Sequence, residues 1–167
     1  GSWLTSPDGQ ALFRLAAERR LVASIACQPH HQEALRALAR QFPAVPILCH
    51  HMGGVRAGAG PLLDQLRPVL ASATIPNIYV KVSGFGYLAE RGWDFPYRET
   101  HEVVRALYEH FGPDRLCWGS DYPVVLRYMT YRQSIEVLRS HCSFIPESDR
   151  ATILARTIMR LLNFDHD

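Results

Sequence analysis

The chain has 167 residues, of which 47% are hydrophobic and 20% are charged, and its formal net charge is +2 at pH 7. This composition is typical of a soluble globular protein, and we expect one domain over residues 1–167. The small net charge and the lack of a Lys/Arg cluster argue against a nucleic-acid partner. No apolar run approaches the roughly 20 residues that a bilayer span needs, so we expect no membrane partner either.

Strand and helix patterns alternate along the chain. Ser6-Pro7-Asp8 indicates a helix start, because serine can cap the helix, proline fits its first turn and an acid suits its positive end. Short apolar runs typical of buried strands begin near residues 21, 46, 77 and 115, and each precedes apolar residues at helical spacing. The predicted strands are 21–27, 46–51, 77–83 and a fourth that runs from about 115 into Asp121, and the predicted helices are about 7–20, 31–41, 62–70, 97–111, 128–141 and 147–162.

This alternation predicts right-handed βαβ units and a parallel sheet, that is, an α/β fold. Four strands cannot close a (β/α)8 barrel, which takes eight strands and about 250 residues. The sequence therefore predicts either an open sheet or about half of something larger.

The four cysteines lie far apart and form no C-x-x-C motif. Three of them sit in strand-like apolar runs, which favours buried free thiols over a disulfide framework. We therefore expect a cytoplasmic setting.

Polar side chains occur where the predicted strands end. Gln28, His51, Ser83 and Asp121 each lie at a strand's carboxyl end, and Lys81 lies one layer deeper. In parallel α/β sheets this edge is where ligands bind. A His–Asp pair with a lysine and a glutamine nearby can coordinate a metal or activate water.

Side-chain alternation decides which of these groups share a face. On the third strand Ile78, Val80 and Val82 should lie under the helices, so Lys81 and Ser83 point the other way. The same argument places His51 on the polar face. It places His50 on the opposite face, where we expect it to pack beside a helix.

Two further expectations concern three histidines and one loop rich in aromatic residues. His101, His141 and His166 are expected at the surface. The predicted long loop 84–96 contains Phe85, Tyr87, Trp93 and Phe95 and is either a substrate lid or plain packing.

Three segments together resemble the amidohydrolase family 2 proteins, and within that family the lactonase branch. They are 47–54 (Ile-Leu-Cys-His-His-Met-Gly-Gly), 77–84 (Asn-Ile-Tyr-Val-Lys-Val-Ser-Gly) and 111–123, which ends in Trp-Gly-Ser-Asp-Tyr-Pro. The resemblance implies that the chain corresponds to strands five to eight of a (β/α)8 TIM barrel.

The resemblance also implies roles for individual residues. Asp121 matches the aspartate that serves as general base toward water and often as a metal ligand. His51 matches the histidine that polarises the substrate carbonyl or binds metal. The residues implied to lie near a small-molecule substrate are Lys81, Ser83, Tyr122 and Arg127, with Arg127 a candidate for holding a carboxylate. Gln28 is a further substrate-binding candidate, from its place at the end of the first strand.

Two departures from the family pattern bear on the metal. The H-x-H pair of the first barrel strand is absent from this sequence, and Gln28 stands where metal-dependent members have histidine. Only His51 and Asp121 are then left as ligands, fewer than a stable zinc site needs. A divalent metal such as zinc and no metal at all are both left open.

The sequence thus supports an enzyme that hydrolyses a lactone or a carboxylic ester. A metal-dependent decarboxylase of the same family is the alternative chemistry. A different alternative is a truncated or non-catalytic half-barrel, which would need either another copy of itself, as a homo-oligomer, or a missing N-terminal half.

Overall fold

The computed structural model describes residues 2–164, so the expectation for His166 lies outside the described residues. Four strands form one sheet in the order β1-β2-β3-β4, and all neighbouring pairs are parallel. The strands are β1 (Ala23–Ile25), β2 (Ile47–Cys49), β3 (Ile78–Val82) and β4 (Leu116–Trp118). The predicted α/β fold with a parallel sheet is confirmed.

Helices connect and cover these strands. They are α1 (Pro7–Glu18), α2 (Gln32–Gln41), α3 (Leu62–Leu70), α4 (Phe85–Leu88), α5 (His101–Phe111), α6 (Tyr131–His141), α7 (Glu147–Ala151) and α8 (Thr157–Leu161). Helix α1 begins as predicted, since the Ser6 hydroxyl accepts a hydrogen bond from the Gly9 backbone N–H. Helix α6 begins with a capping box between Thr130 and Gln133.

The structure differs from the predicted helices and loop in the following respects. The helix expected from Tyr97 begins at His101, because residues 98–100 form a tighter 3₁₀ turn. The segment expected as a long loop contains the short helix α4. The last predicted helix contains a π-helical segment, Thr152–Arg156, between α7 and α8.

The two faces of the sheet differ sharply. Ile78, Val80 and Val82 of β3 are fully buried and join the core beneath the helices, as the alternation predicted. Tyr79 and Lys81, which alternate with them, are only half-buried. Ser24 of β1 is exposed. One face is therefore covered by helices, and the other is partly open.

Within residues 2–164 the outer strands β1 and β4 each pair with one neighbour only. A groove of about 340 Å³ runs beside β1, and Trp3, Leu12 and Leu21 are exposed along it. Tyr122 and Leu126, which follow β4, are exposed as well. Both open edges of the sheet thus carry apolar side chains.

The cysteines and His101 are all buried. All four cysteines are free and buried, as predicted. His101 was expected at the surface, but it is buried, because the loop before α5 folds back and its ring hydrogen-bonds the Pro96 carbonyl at 2.9 Å. No helix within residues 2–164 is both long and apolar enough to cross a membrane.

Candidate active site

The chain leaves β2 in a left-handed turn over residues 51–54. His51 and Met52 both have φ near +52°, and Gly53 and Gly54 have φ of +68° and +73°. Only glycine adopts such values without strain, so His51 and Met52 are held there by their surroundings. A side chain at Gly53 would also collide with Val69, since a Cβ there would lie 2.8 Å from its methyl groups.

This turn decides where the His51 ring lies. The register pairs Cys49 with Ile25 and Val80, which places Cys49 on the helix-covered face. A straight continuation of β2 would put His51 on that face too. The left-handed turn instead brings the ring to the carboxyl ends of the strands, where Nδ1 lies 2.9 Å from the Ser83 hydroxyl.

The expected orientation of His50 was therefore wrong. His50 lies on the open face, where its Nε2 forms a hydrogen bond with the Ser24 hydroxyl. Burial and the positive charge of Lys81 lower the pKa of His50 to about 4, so the ring is neutral near pH 7. The prediction assigned β2 the opposite phase. Its residues are apolar on both faces, and only the register shows that Ile47 and Cys49 face the helices.

Asp121 is the third residue after β4 rather than its last residue. The strand stops at Trp118, and Asp121 again has a positive φ of 58°. Its Oδ1 lies 3.9 Å from His51 Nε2, and its Oδ2 accepts a hydrogen bond of 3.0 Å from the Tyr87 hydroxyl. The His51 and Asp121 side chains are 21% and 23% exposed, which leaves them within reach of a small molecule.

The His51 imidazole is held in its neutral form. Burial lowers its pKa, the Asp121 carboxylate opposes that shift, and the Lys81 charge adds to it. Ser83, whose side chain is fully buried, can donate to Nδ1 or accept from it. If the serine donates, Nε2 carries the proton and faces Asp121; if it accepts, Nε2 is a free lone pair.

Tyr87 of α4 was not predicted as a site residue. Burial and the Asp121 hydrogen bond raise its pKa, so the phenol stays protonated and acts as a donor. Its ring also packs edge-on against His51, with centroids 5.4 Å apart. The aromatic loop was the available signal, but the short helix that orients Tyr87 inward was not recognised.

A cleft of about 310 Å³ opens beside these groups. It is lined by Ala26, Cys27, Gln28, His31, His50, His51, Gly54, Arg56, Tyr87 and Leu88. Gln28, a predicted substrate-binding residue, is among the residues that line it. Lys81 lies deeper on the open face, against Gly119, where a Cβ would come within 2.6 Å of its side chain.

Two predicted substrate-binding residues are exposed at the surface. Tyr122 is 66% exposed and Arg127 is also exposed, and neither lines this cleft. The cis peptide bond between Tyr122 and Pro123 follows Asp121 directly. The structure therefore brings Gln28, His51, Ser83 and Asp121 to one edge of the sheet, whereas the side chains of Tyr122 and Arg127 are exposed.

The number of metal-ligating side chains at this site decides whether it can hold zinc. Among residues 2–164 no three His, Cys, Asp or Glu side chains come together as a metal site. His51 Nε2 and Asp121 Oδ1 are two donors, whereas zinc sites in proteins use three or four. The described residues therefore do not fit a complete zinc site.

A family model described as Amidohydrolase matches residues 1–164. The chain belongs to the amidohydrolase family. The family expected from the three sequence segments is confirmed.

One relative of this amidohydrolase chain is L-fucono-1,5-lactonase from Burkholderia ambifaria, which is 29% identical over 122 residues. That match covers 73% of the chain but 41% of the relative's length. The chain therefore spans less than half of the lactonase that it matches.

Two solved structures show the same fold. An amidohydrolase from Burkholderia multivorans with bound zinc superposes with a TM-score of 0.83 at 20% identity, over 97% of this chain and 59% of the other. A putative 2-pyrone-4,6-dicarboxylic acid hydrolase from Pseudomonas putida gives a TM-score of 0.77 at 23% identity, over 98% and 59%. The expected fold, about half of a (β/α)8 barrel, is confirmed.

Proposed function

We propose that this chain contributes the general base and a carbonyl-polarising group to an enzyme that hydrolyses a lactone or a carboxylic ester. The observation that carries the proposal is the 3.9 Å separation of His51 Nε2 and Asp121 Oδ1, next to the cleft that His51 lines. The kinship with a sugar lactonase supports the reaction type.

In this mechanism Asp121 Oδ1 accepts a proton from water, and the water oxygen attacks the carbonyl carbon of the ring. The Tyr87 hydroxyl holds Oδ2, so that Oδ1 is the free oxygen. Negative charge then develops on the former carbonyl oxygen. The ring C–O bond breaks, the departing alkoxide takes the proton from Asp121, and a hydroxy acid results.

His51 stabilises the negative charge that develops on the former carbonyl oxygen. With the Ser83 hydroxyl donating to Nδ1, the Nε2–H group points out of the ring toward the reaction centre. A neutral imidazole donor of this kind stabilises charge without having to transfer a proton first. The nearby positive charge of Lys81 acts in the same direction.

The site needs further barrel strands, since both sheet edges of this chain are open. Part of our proposal is that the apolar groove beside β1 and the apolar residues after β4 are covered by strands of a second copy or of an N-terminal half. Native mass determination distinguishes a second copy of the chain from an N-terminal half. A dimer would support pairing of two copies, and a monomer without lactonase activity would support a separate half.

A lactone panel assayed with Asp121→Asn tests the reaction. The neutral amide cannot take the proton, so we expect kcat to fall by about 10²- to 10⁴-fold. The thermal unfolding midpoint should stay unchanged. Asp64→Asn, which alters an exposed carboxylate on α3, is the matched control and should retain full activity.

Two outcomes would reject this proposal. Lactone hydrolysis that survives Asp121→Asn would remove the general base. Near-stoichiometric zinc by elemental analysis, together with CO₂ release in place of ring opening, would instead identify a metal-dependent decarboxylase.

We also propose a cytoplasmic setting. The four cysteines are free and buried, with no disulfide between them. Titration of unfolded protein purified without reductant should yield all four thiols.

A further inference from the structure

Arg56 is the second residue after the left-handed turn that positions His51, and hydrogen bonds fix its backbone on both sides. The Arg56 N–H donates to Gln65 Oε1 at 2.9 Å, and the Arg56 carbonyl accepts from Gln65 Nε2 at 3.0 Å. The next residue, Ala57, donates its N–H to the Leu88 carbonyl at 2.8 Å. Val55, before it, is fully buried.

The side chain of Arg56 has no comparable partner. Within residues 2–164 its guanidinium makes no hydrogen bond and no ion pair, and it is exposed. It lines the same cleft as His51 and Tyr87, and its charge acts on Tyr87 by lowering the pKa of the phenol. A guanidinium on a rigid backbone, free of protein partners and facing a cleft, is available to a ligand.

The charges around the cleft favour an anion. The lining includes no Asp or Glu, and Arg56 is its permanently charged residue. Lys81 adds positive charge from below, since its field lowers the pKa of both His50 and His51. The Asp121 carboxylate lies beyond His51 and is engaged by Tyr87.

We propose that Arg56 binds an anionic substituent of the substrate, so that the enzyme acts on lactones bearing a carboxylate. This inference rests on the proposed lactone hydrolysis and specifies its substrate class. A planar guanidinium pairs with a carboxylate through two parallel hydrogen bonds, which fixes orientation as well as affinity. With the carboxylate held at Arg56, the ring of the substrate extends across the cleft toward His51 and Asp121.

This assignment replaces Arg127 as the residue that holds a carboxylate. Arg127 is exposed at the end of a 3₁₀ turn after Asp121 and does not line the cleft. The two arginines therefore form a matched pair for testing, because both are exposed cations and only Arg56 lines the cleft.

Calorimetric binding of glutarate to the 167-residue chain tests the subsite without requiring catalysis. We expect Arg56→Met to weaken glutarate binding by about tenfold or more, since a charge-assisted pair is lost. Arg56→Lys should recover part of the affinity. Arg127→Met should bind glutarate within about twofold of the parent chain. Dimethyl glutarate, which lacks the charges, should not distinguish any of these proteins.

Kinetics on paired substrates then connect the subsite to the reaction. For a lactone carrying a carboxylate, Arg56→Met should raise KM about tenfold, whereas a neutral lactone of the same ring size should be unaffected. Glutarate binding that is absent, or equal in Arg56→Met and Arg127→Met, would overturn the inference. If glutarate binding depends on Arg56 but no lactone is hydrolysed, the subsite stands and the proposed reaction fails.

Discussion

The two faces of this sheet are built from the same strands but serve opposite purposes. On β3 the residues facing the helices, Ile78, Val80 and Val82, are fully buried in the core. The residues between them, Tyr79 and Lys81, lie half-buried on a face that this chain does not cover. The covered face holds the fold together, and the open face and its upper edge carry the polar groups.

The largest effect expected from this contrast is on stability. Ile78→Ala should lower the free energy of unfolding by about 2–5 kcal/mol, because it removes buried methyl groups and leaves a cavity. Tyr79→Phe, one residue away on the open face, should cost less than about 1 kcal/mol. Urea denaturation of both variants measures this, and equal losses would contradict the division into two faces.

The next prediction concerns Ser83, which is fully buried like the residues of the covered face but forms a hydrogen bond with the His51 ring. Ser83→Ala should reduce kcat/KM by about tenfold, because the ring loses the partner that fixes its tautomer, while stability falls by only about 1 kcal/mol. Nitrogen chemical shifts of His51 would report the tautomer directly. Ser143→Ala, at an exposed serine, should change neither quantity.

The smallest effect expected is a pH dependence from His50 on the open face. Its pKa is about 4 in the folded chain and near 6.5 when unfolded, so the unfolded state takes up the proton first as pH falls. Stability should therefore be unaffected by His50 above pH 6.5 and decline between about 6.5 and 4. His50→Gln should remove up to about one proton from the pH slope of unfolding.

Urea unfolding at pH 7, 6, 5 and 4 measures that slope. Ser143→Ala, at an exposed residue that does not titrate, is the control and should leave the slope as in the parent chain. A slope unchanged by His50→Gln would show that the His50 ring is not desolvated.

Periodicity predicted the strands and most helices because burial on one face leaves a direct record in the sequence. The faces of β3 were predictable for that reason, since Ile78, Val80 and Val82 alternate with polar or amphipathic residues. The phase of β2 was not, because its residues are apolar on both faces and only the register distinguishes them.

The site was predictable only in part. Strand ends indicated His51, Ser83 and Asp121, although backbone turns rather than strand alternation bring the first and last of these together. Tyr87 could not be found by spacing, since it sits on a helix of four residues. The burial of His101 likewise depends on a loop that folds back onto α5 and leaves no periodic signal.

The left-handed turn at residues 51–54 has a consequence for any effort to move this chemistry to another scaffold. The position of the imidazole is set by main-chain handedness and by the absence of side chains at Gly53 and Gly54, not by the choice of a rotamer. Transplanting the histidine and the aspartate alone would leave the ring beneath the helices. Residues 51–54 would have to be transferred together, along with Val69, against which Gly53 packs.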